Sequence, residues 1–402
     1  MSLETKEYCD AVATGRRPRP LKICFLSSMH PPLDKRVHHK EAVALATAGY
    51  QVVHIAPGDG EEFVADGVSI TTYKGDRTKL GRISRLPKLW RLARRANADC
   101  YHCNEVDSWL VGVLLKIFSR KTVTFDIHEL HSNDLAERCF PAVLRPLVVK
   151  TTRTVLSLLT PFTDRLVLAK KSAGQEFPRS RAKQMVVENF TETKNVSQLP
   201  ASCGLSRDHS QDVTAVHLGA INRVRGWPQM LAALCKTKSS NIKLRVIGRF
   251  GDGSQEEFLR CVRDLGLEDR VSFEPWMPYD QVPQELGRCH IGLITFQPVS
   301  QNFIHAMPHK LFDYMLASLP TITPSCAIEV SDIVSSADCG IIVDSTCPDE
   351  IANALDRLAG DPGLCRRLGD NGRSAVFDRY NWENEAKKLV QMYDEFELAR
   401  AS

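Results

Sequence analysis

No uninterrupted apolar run in this chain approaches the roughly 18–20 residues a helix needs to cross a bilayer. The nearest stretch, 141–162, is broken by Arg145, Lys150 and Arg153, which excludes it as a membrane span. A secretory signal is not evident at the start, and the 13 cysteines lack the paired spacing of a zinc site. The one C-x-x-C, Cys100 to Cys103, has no second pair. With an odd count scattered through apolar runs, the cysteines read as reduced thiols of a cytoplasmic protein. Neither a Walker loop nor a G-x-G-x-x-G fingerprint is present, and no D-x-D pair occurs.

What is there is an ordinary soluble composition, 43% hydrophobic and 25% charged over 402 residues. That length exceeds the size at which single cores stop growing, so two domains are expected. Charge is uneven: residues 1–200 carry 31 Lys+Arg against 21 Asp+Glu, whereas 201–402 carry a net negative charge. A basic half suggests an anionic surface or substrate. Short apolar runs alternate with helical patterns from Leu21–Leu26 through Gln184–Val187, predicting βαβ units. Residues 191–212 lose this periodicity and are rich in Ser, Thr, Asn and Asp. The alternation restarts at Thr214–Leu218 and ends in a helix near Trp382–Ala399. The expected layout is a flexible lead-in (1–20), a first Rossmann-like domain (21–192) for an acceptor and a linker (193–212). A second Rossmann-like domain (213–380) and a final helix (381–402) follow. The fold class is α/β, with two doubly wound domains facing a central cleft and the last helix packing back on the first domain.

Ligands of such sheets gather beyond the carboxyl ends of the strands, so the polar residues there are the candidates. After the first strand comes Ser27 to Arg36, where His30 and Arg36 suit an anion or acceptor. After the Thr122–Asp126 strand lies His128, flanked by acids and suited to general-base work or to holding a charged oxygen. At the first turn of the second domain, Gly219 permits a tight turn beneath a ligand, and Arg223 and Arg225 offer forked donors for phosphate. In 302–322, Pro308 suits the first position of a helix, and Lys310 falls in that helix's first turn, where free N–H groups attract anions. Asp313 follows by three residues on the same face. The plainer alternative is a surface helix on which Lys310 and Asp313 merely pair.

The run 74–95 holds Lys74, Arg77, Lys79, Arg82, Arg85, Lys88, Arg91, Arg94 and Arg95 against only Asp76. Leu80, Ile83, Leu86, Leu89, Trp90 and Leu92 are interleaved, which predicts an interfacial helix on an anionic membrane surface. The plainer alternative is a solvated helix packing its leucines on the sheet. No recognised motif accompanies the run to favour nucleic acid.

Together these stretches resemble the family-four glycosyltransferases of GT-B fold, in their polysaccharide- and glycolipid-building branch. Pro308 to Pro320 is similar to the family's Pro-x-Lys-Leu-Phe-Glu-Tyr-Met-x-x-Gly-x-Pro element. Ser27, Pro31, Pro32, Asp34, Arg36, Lys40, Glu41 and Gly49 resemble its N-terminal signature. Asp344, Asp361, Pro362, Asn371, Gly372, Arg373, Tyr380 and Trp382 resemble its closing segment. The resemblance implies a retaining, metal-independent transferase that needs no cofactor and takes a sugar from a nucleotide diphosphate donor. By the same resemblance Arg225 and Lys310 hold the diphosphate, Leu311 belongs to the donor element, and Asp313 meets the ribose hydroxyls. His128 stands near the reacting sugar. The chain departs from the pattern in four places: His305 stands where a first glutamate is expected, Asp313 for the second, Ser318 for a glycine and Ala220 for an arginine.

The leading expectation is therefore a hexosyltransferase-like enzyme, cytoplasmic and peripheral on the inner face of a membrane, acting on a lipid-linked or polysaccharide acceptor. A nucleotide-sugar epimerase or hydrolase of the same fold, or a non-catalytic sugar-nucleotide-binding subunit, remains the alternative.

Overall fold

The computed structural model describes residues 20–74, 79–193, 212–278 and 281–401, and of 79–83, 138 and 401 the backbone only. The expected lead-in up to residue 19, and the expected linker over 194–211, lie outside the described residues. The chain divides into two compact units, one formed by 1–189 with 382–402 and the other by 190–381.

The first unit begins with β1 (Lys22–Leu26), a widened helical turn (Val37–Ala42), α1 (Val43–Thr47) and β2 (Gln51–Pro57). In that widened turn His39 and Glu41 donate to carbonyls five residues back. A hairpin of β3 (Glu62–Ala65) and β4 (Val68–Tyr73) leads to α2 (Lys79–Ala96), β5 (Cys100–Cys103) and α3 (Val106–Ser119). Then come β6 (Thr122–Ile127), α4 (His131–Cys139), α5 (Arg145–Leu159), β7 (Arg165–Leu168) and β8 (Gln184–Val186). The strands are apolar because a parallel sheet is covered on both faces: Ile23 to Leu26 are fully buried. Their order is β3-β4-β2-β1-β5-β6-β7-β8, with only β3 antiparallel.

The second unit runs β9 (Val213–Ile221), α6 (Trp227–Lys236), β10 (Ile242–Phe250), α7 (Gln255–Asp264), β11 (Val271–Pro275) and α8 (Val282–Leu286). It continues with β12 (Ile291–Leu293), α9 (Gln301–Ile304), α10 (His309–Leu316), β13 (Thr321–Pro324) and α11 (Ile328–Ala337). β14 (Gly340–Val343), α12 (Pro348–Gly360) and α13 (Pro362–Asp378) close it. Its six strands are ordered β11-β10-β9-β12-β13-β14, all parallel. The last helix, α14 (Trp382–Ala401), packs in the first unit, where Met392 and Tyr393 join the core around Phe25 and Val37.

Each sheet carries a core on both faces. Apart from β3, both sheets reverse their strand order beside the first strand, between β1 and β5 and between β9 and β12. In a doubly wound sheet that is where a crevice opens for a ligand.

Among the elements not anticipated are β3, α11 and α13. β3 is a short edge strand paired only with β4. α11 is rich in β-branched and serine residues, and α13 holds Gly363, Gly369 and Gly372. Two of those glycines explain α13: a Cβ on Gly369 would meet the Ser318 carbonyl at 2.2 Å, and one on Gly372 would meet Cys339 at 3.1 Å. Close packing, rather than helix propensity, selected them. Pro308 is also displaced from its expected role, because its ψ of 134° keeps it extended and makes it the cap before α10.

Candidate functional site

In the second unit the site is built around α10. Lys310, Leu311, Phe312, Asp313, Tyr314, Met315 and Leu316 are all buried, so the surface-helix alternative does not hold. Tyr314 anchors the helix to β9: its hydroxyl accepts from the Leu218 N–H at 2.9 Å and donates to the Val216 carbonyl at 3.1 Å. Gly292 on β12 leaves the room, since a Cβ there would lie 2.4 Å from the Tyr314 ring. Four residues before Tyr314 and on the same face, Lys310 brings its Nζ within 3.0 Å of His217 Nε2 on β9. The same Nε2 lies 3.3 Å from the Ala220 carbonyl, and Nδ1 has no partner among the described residues.

The turn after β9 supplies the second cation. Gly219 (φ +92°) has open space where a Cβ would stand. Its carbonyl lies under Gly248, where a Cβ would come within 1.8 Å. Asn222 caps the turn by accepting from the Arg225 N–H at 2.8 Å. Thr295 Oγ1 donates to the Arg225 carbonyl at 3.0 Å, and Gly226 (φ +87°) fits only because it lacks a Cβ against the Thr295 carbonyl. The Arg225 guanidinium lies over the Phe296 ring at 5.3 Å.

Burial, then the charge of Arg225, holds the Lys310 ammonium well below its ordinary pKa, with Asp313 partly opposing. Burial and then Lys310 depress His217, and burial lowers Arg225. Basic groups are thus gathered at the start of α10 with one carboxylate nearby. An arriving anion would relieve that strain.

Other expected donor residues are placed differently. Arg223 is half-exposed and pairs with Glu257 of α7 and with Asp252, which spends its guanidinium on the protein's own surface. Leu311 is fully buried in the core and supports α10 instead of facing a ligand. His305 closes α9 and is nearly buried.

In the first unit the loop after β1 wraps a carboxylate that sequence reasoning missed. Glu105, the cap of α3, accepts from the Ser28, Met29 and His30 backbone N–H groups at 2.8, 2.9 and 3.0 Å. It also contacts His30 Nδ1 at 2.7 Å. Burial alone would raise its pKa, but the His30 bond and charge and the backbone donors pull it down to about 2. Glu105 in turn outweighs the burial of His30 and raises the imidazole's pKa. His128 packs edge-on against His30, with ring centroids 4.9 Å apart, and its Nε2 lies 2.5 Å from Asp126. Two histidine–carboxylate pairs therefore stand side by side beyond β1, β5 and β6. The signal for Glu105 was its position, two residues past a strand end with Ser108 three residues on, a capping box.

Arg36 does not reach an acceptor. It is 5% exposed, bridges Asp126 through Nε and Nη2 at 3.1 and 2.9 Å, and gives its third bond to the Val187 carbonyl. Glu41 lies 2.8 Å from the same guanidinium. One cation faces two buried carboxyls, so Asp126 keeps its charge, far below its usual pKa, while burial drives Glu41 up. Glu41, His102 and Asp126 cluster closely enough to hold a metal ion, but Arg36 already balances them. Of the basic run, Leu89 and Ala93 are fully buried, and Leu86, Trp90 and Leu92 pack on the same core. Those side chains therefore face the sheet. Arg77 and the side chains of Lys79, Leu80, Arg82 and Ile83 lie outside the described residues.

The family described as glycosyl transferases group 1 matches residues 206–375. The MMP alpha-(1->4)-mannosyltransferase of Mycolicibacterium hassiacum is 23% identical over 175 residues, covering 42% of this chain. That match spans 40% of the relative, less than half its length. Sucrose-phosphate synthase from Thermosynechococcus elongatus superposes with a TM-score of 0.72 at 17% identity, over 95% of this chain and 100% of that one. Anabaena HepE, solved in complex with UDP, superposes at 0.68 with 16% identity, over 93% and 100%. At such identities the likeness shows the fold alone.

Proposed function

We propose, on the premise that residues 206–375 match the group 1 glycosyltransferases and that the chain has the GT-B fold, that it moves a sugar from a nucleotide diphosphate sugar to a lipid-linked or polysaccharide acceptor. The observation that carries the reading is the buried meeting of Lys310 with His217, beside Arg225, at the start of α10. Transfer breaks the bond between the anomeric carbon and a diphosphate oxygen, and negative charge grows on the departing diphosphate. Preorganised cations and free helix N–H groups in a dry site lower the cost of that charge more than they stabilise the intact donor. We assign Lys310 and Arg225 to the diphosphate and Asp313 to the ribose hydroxyls. His128, oriented by Asp126, is assigned to the transferred sugar. The proposed chemistry retains the anomeric configuration and uses no metal. The proposed setting is peripheral to a membrane, where a lipid-linked acceptor resides.

The test mixes the purified chain with a panel of nucleotide sugars and a membrane extract and follows free nucleoside diphosphate. Release that depends on the extract and is lost in Lys310→Ala supports the reading. Sugar epimerised or hydrolysed without acceptor favours the alternative chemistry. No release with any donor, together with no thermal stabilisation by any of them, overturns the assignment.

A further inference from the structure

Twelve of the 23 large apolar side chains exposed among the described residues fall between residues 110 and 162. On α3, Leu110, Leu114, Ile117 and Phe118 recur at helical spacing, and Phe118 is 72% exposed. Around α5, Val143, Leu147, Val155 and Leu158 are 84%, 63%, 53% and 68% exposed, while Leu156 alone is buried in the helix. α2, α3 and α5 pack on one face of the first unit's sheet, since Leu89, Trp109 and Leu156 share a core. Trp90 of α2 meets Phe118 of α3 edge-on at 6.2 Å, which makes their outer surfaces continuous. Monomeric proteins rarely leave so concentrated an apolar patch uncovered without a partner.

Charge identifies the partner. Within α2, α3 and α5 the only acidic residue is Asp107, and its Oδ1 accepts from Ser28. Lys88, Arg91, Arg94 and Arg95 of α2, and Arg145 and Lys150 of α5, are exposed. A second copy packed across a two-fold axis would set these six cations largely against one another, with only Asp134 and Glu137 of the neighbouring α4 close by. A negatively charged lipid surface answers both halves of the pattern, taking the apolar side chains at its boundary and the cations at its headgroups.

We propose that the outer face of α3 and α5, flanked by the arginines of α2, is the surface through which this protein docks on an anionic membrane. The surface thus differs from the leucine-rich run of α2, whose Leu86, Leu89 and Leu92 pack inward. It deepens the proposed function and rests on that reading for the sense of bringing a lipid-linked acceptor to the enzyme. The docking itself is measurable without any sugar transfer.

The experiment is co-sedimentation of the full chain with phosphatidylcholine vesicles, with and without phosphatidylglycerol. Binding should require the anionic lipid and weaken as salt rises. Leu147→Ser/Val155→Ser/Leu158→Ser should lower the partition coefficient roughly a hundredfold, because three half-exposed apolar side chains no longer leave water. Arg145→Glu/Lys150→Glu should lower it about tenfold or more and flatten the salt dependence. Unchanged melting of both variants separates lost docking from lost folding, and failure of sugar transfer in wild type that still binds vesicles would count only against the enzymatic reading. Equal binding of wild type and the triple serine variant overturns the proposal. So does wild type that ignores both vesicles, or forms a dimer in solution that the triple variant abolishes.

Discussion

Binding of a nucleoside diphosphate is expected to draw a proton into the protein. Lys310 Nζ and His217 Nε2 lie 3.0 Å apart in a buried setting beside Arg225. Burial, then repulsion from Arg225 for Lys310 and from Lys310 for His217, holds both pKa values well below ordinary. A diphosphate reverses the sign of the local potential, so Lys310 binds its proton more tightly in the complex than in the free protein. By linkage, uptake of one proton makes affinity fall about tenfold for each pH unit of rise between the free and bound pKa values, about 1.4 kcal/mol per unit. UDP is the probe. Calorimetry over a pH series above the second ionisation of a phosphate near 6, in two buffers of different ionisation heat at each pH, reads the uptake directly. The apparent enthalpy should differ between buffers in proportion to the protons taken up. Lys310→Met keeps an unbranched side chain one atom shorter, should remove the buffer dependence, and should weaken binding about tenfold to a hundredfold for one lost charge-assisted bond. UDP binding with one and the same heat in both buffers would refute the reasoning, as would buffer dependence that survives in Lys310→Met.

Glu105 keeps its charge down to about pH 2 in the fold, so its contribution is present above pH ~4.5 and lost as pH falls towards 2. That contribution is about 3 kcal/mol; Glu105→Gln should lose most of it at pH 7 and flatten the acid limb of a urea-midpoint series. Arg36→Met leaves Asp126 buried without its main cation and should cost about 3–5 kcal/mol in chemical denaturation. An unchanged midpoint would show the guanidinium to be dispensable. Ser318 holds a left-handed φ of 53°, so Ser318→Gly should stabilise by up to about 1 kcal/mol, read as a higher Tm. Gly248→Ala sets a Cβ against the Gly219 carbonyl and should displace the donor turn, weakening UDP binding at least tenfold; retention of wild-type affinity would free that turn from a role in the site.

Legibility varied with the range over which each signal acts. Val213–Ile221 and Trp382–Ala401 were close to their expected bounds because apolar period and flanking turns are local. The hairpin strand Glu62–Ala65 was not, since an exposed edge strand needs no apolar alternation. Lys310 and Arg225 were legible as cations at a helix start and a strand turn. His217, in the interior of an apolar strand, was not: Lys310, 93 residues away, gives it a role in the site. Arg36 and Arg223 read as free cations because their partners, Asp126 and Glu257, are distant in sequence.

By itself the sequence determined the alternation of strands and helices, the two-unit α/β organisation, the basic first half, and the candidate cations beyond strand ends. These follow from spacing and composition, which act over a few residues. Only the tertiary structure decided which charges are spent internally and which are left for a ligand. It packed Leu86, Leu89 and Leu92 of α2 inward and left Leu110 and Leu114 of α3 and Leu147 and Leu158 of α5 outward. It also turned α10 from an amphipathic surface helix into a buried one, by opening room at Gly292 and closing glycine contacts at Gly369 and Gly372. Burial is a property of neighbours, and neighbours come from the fold.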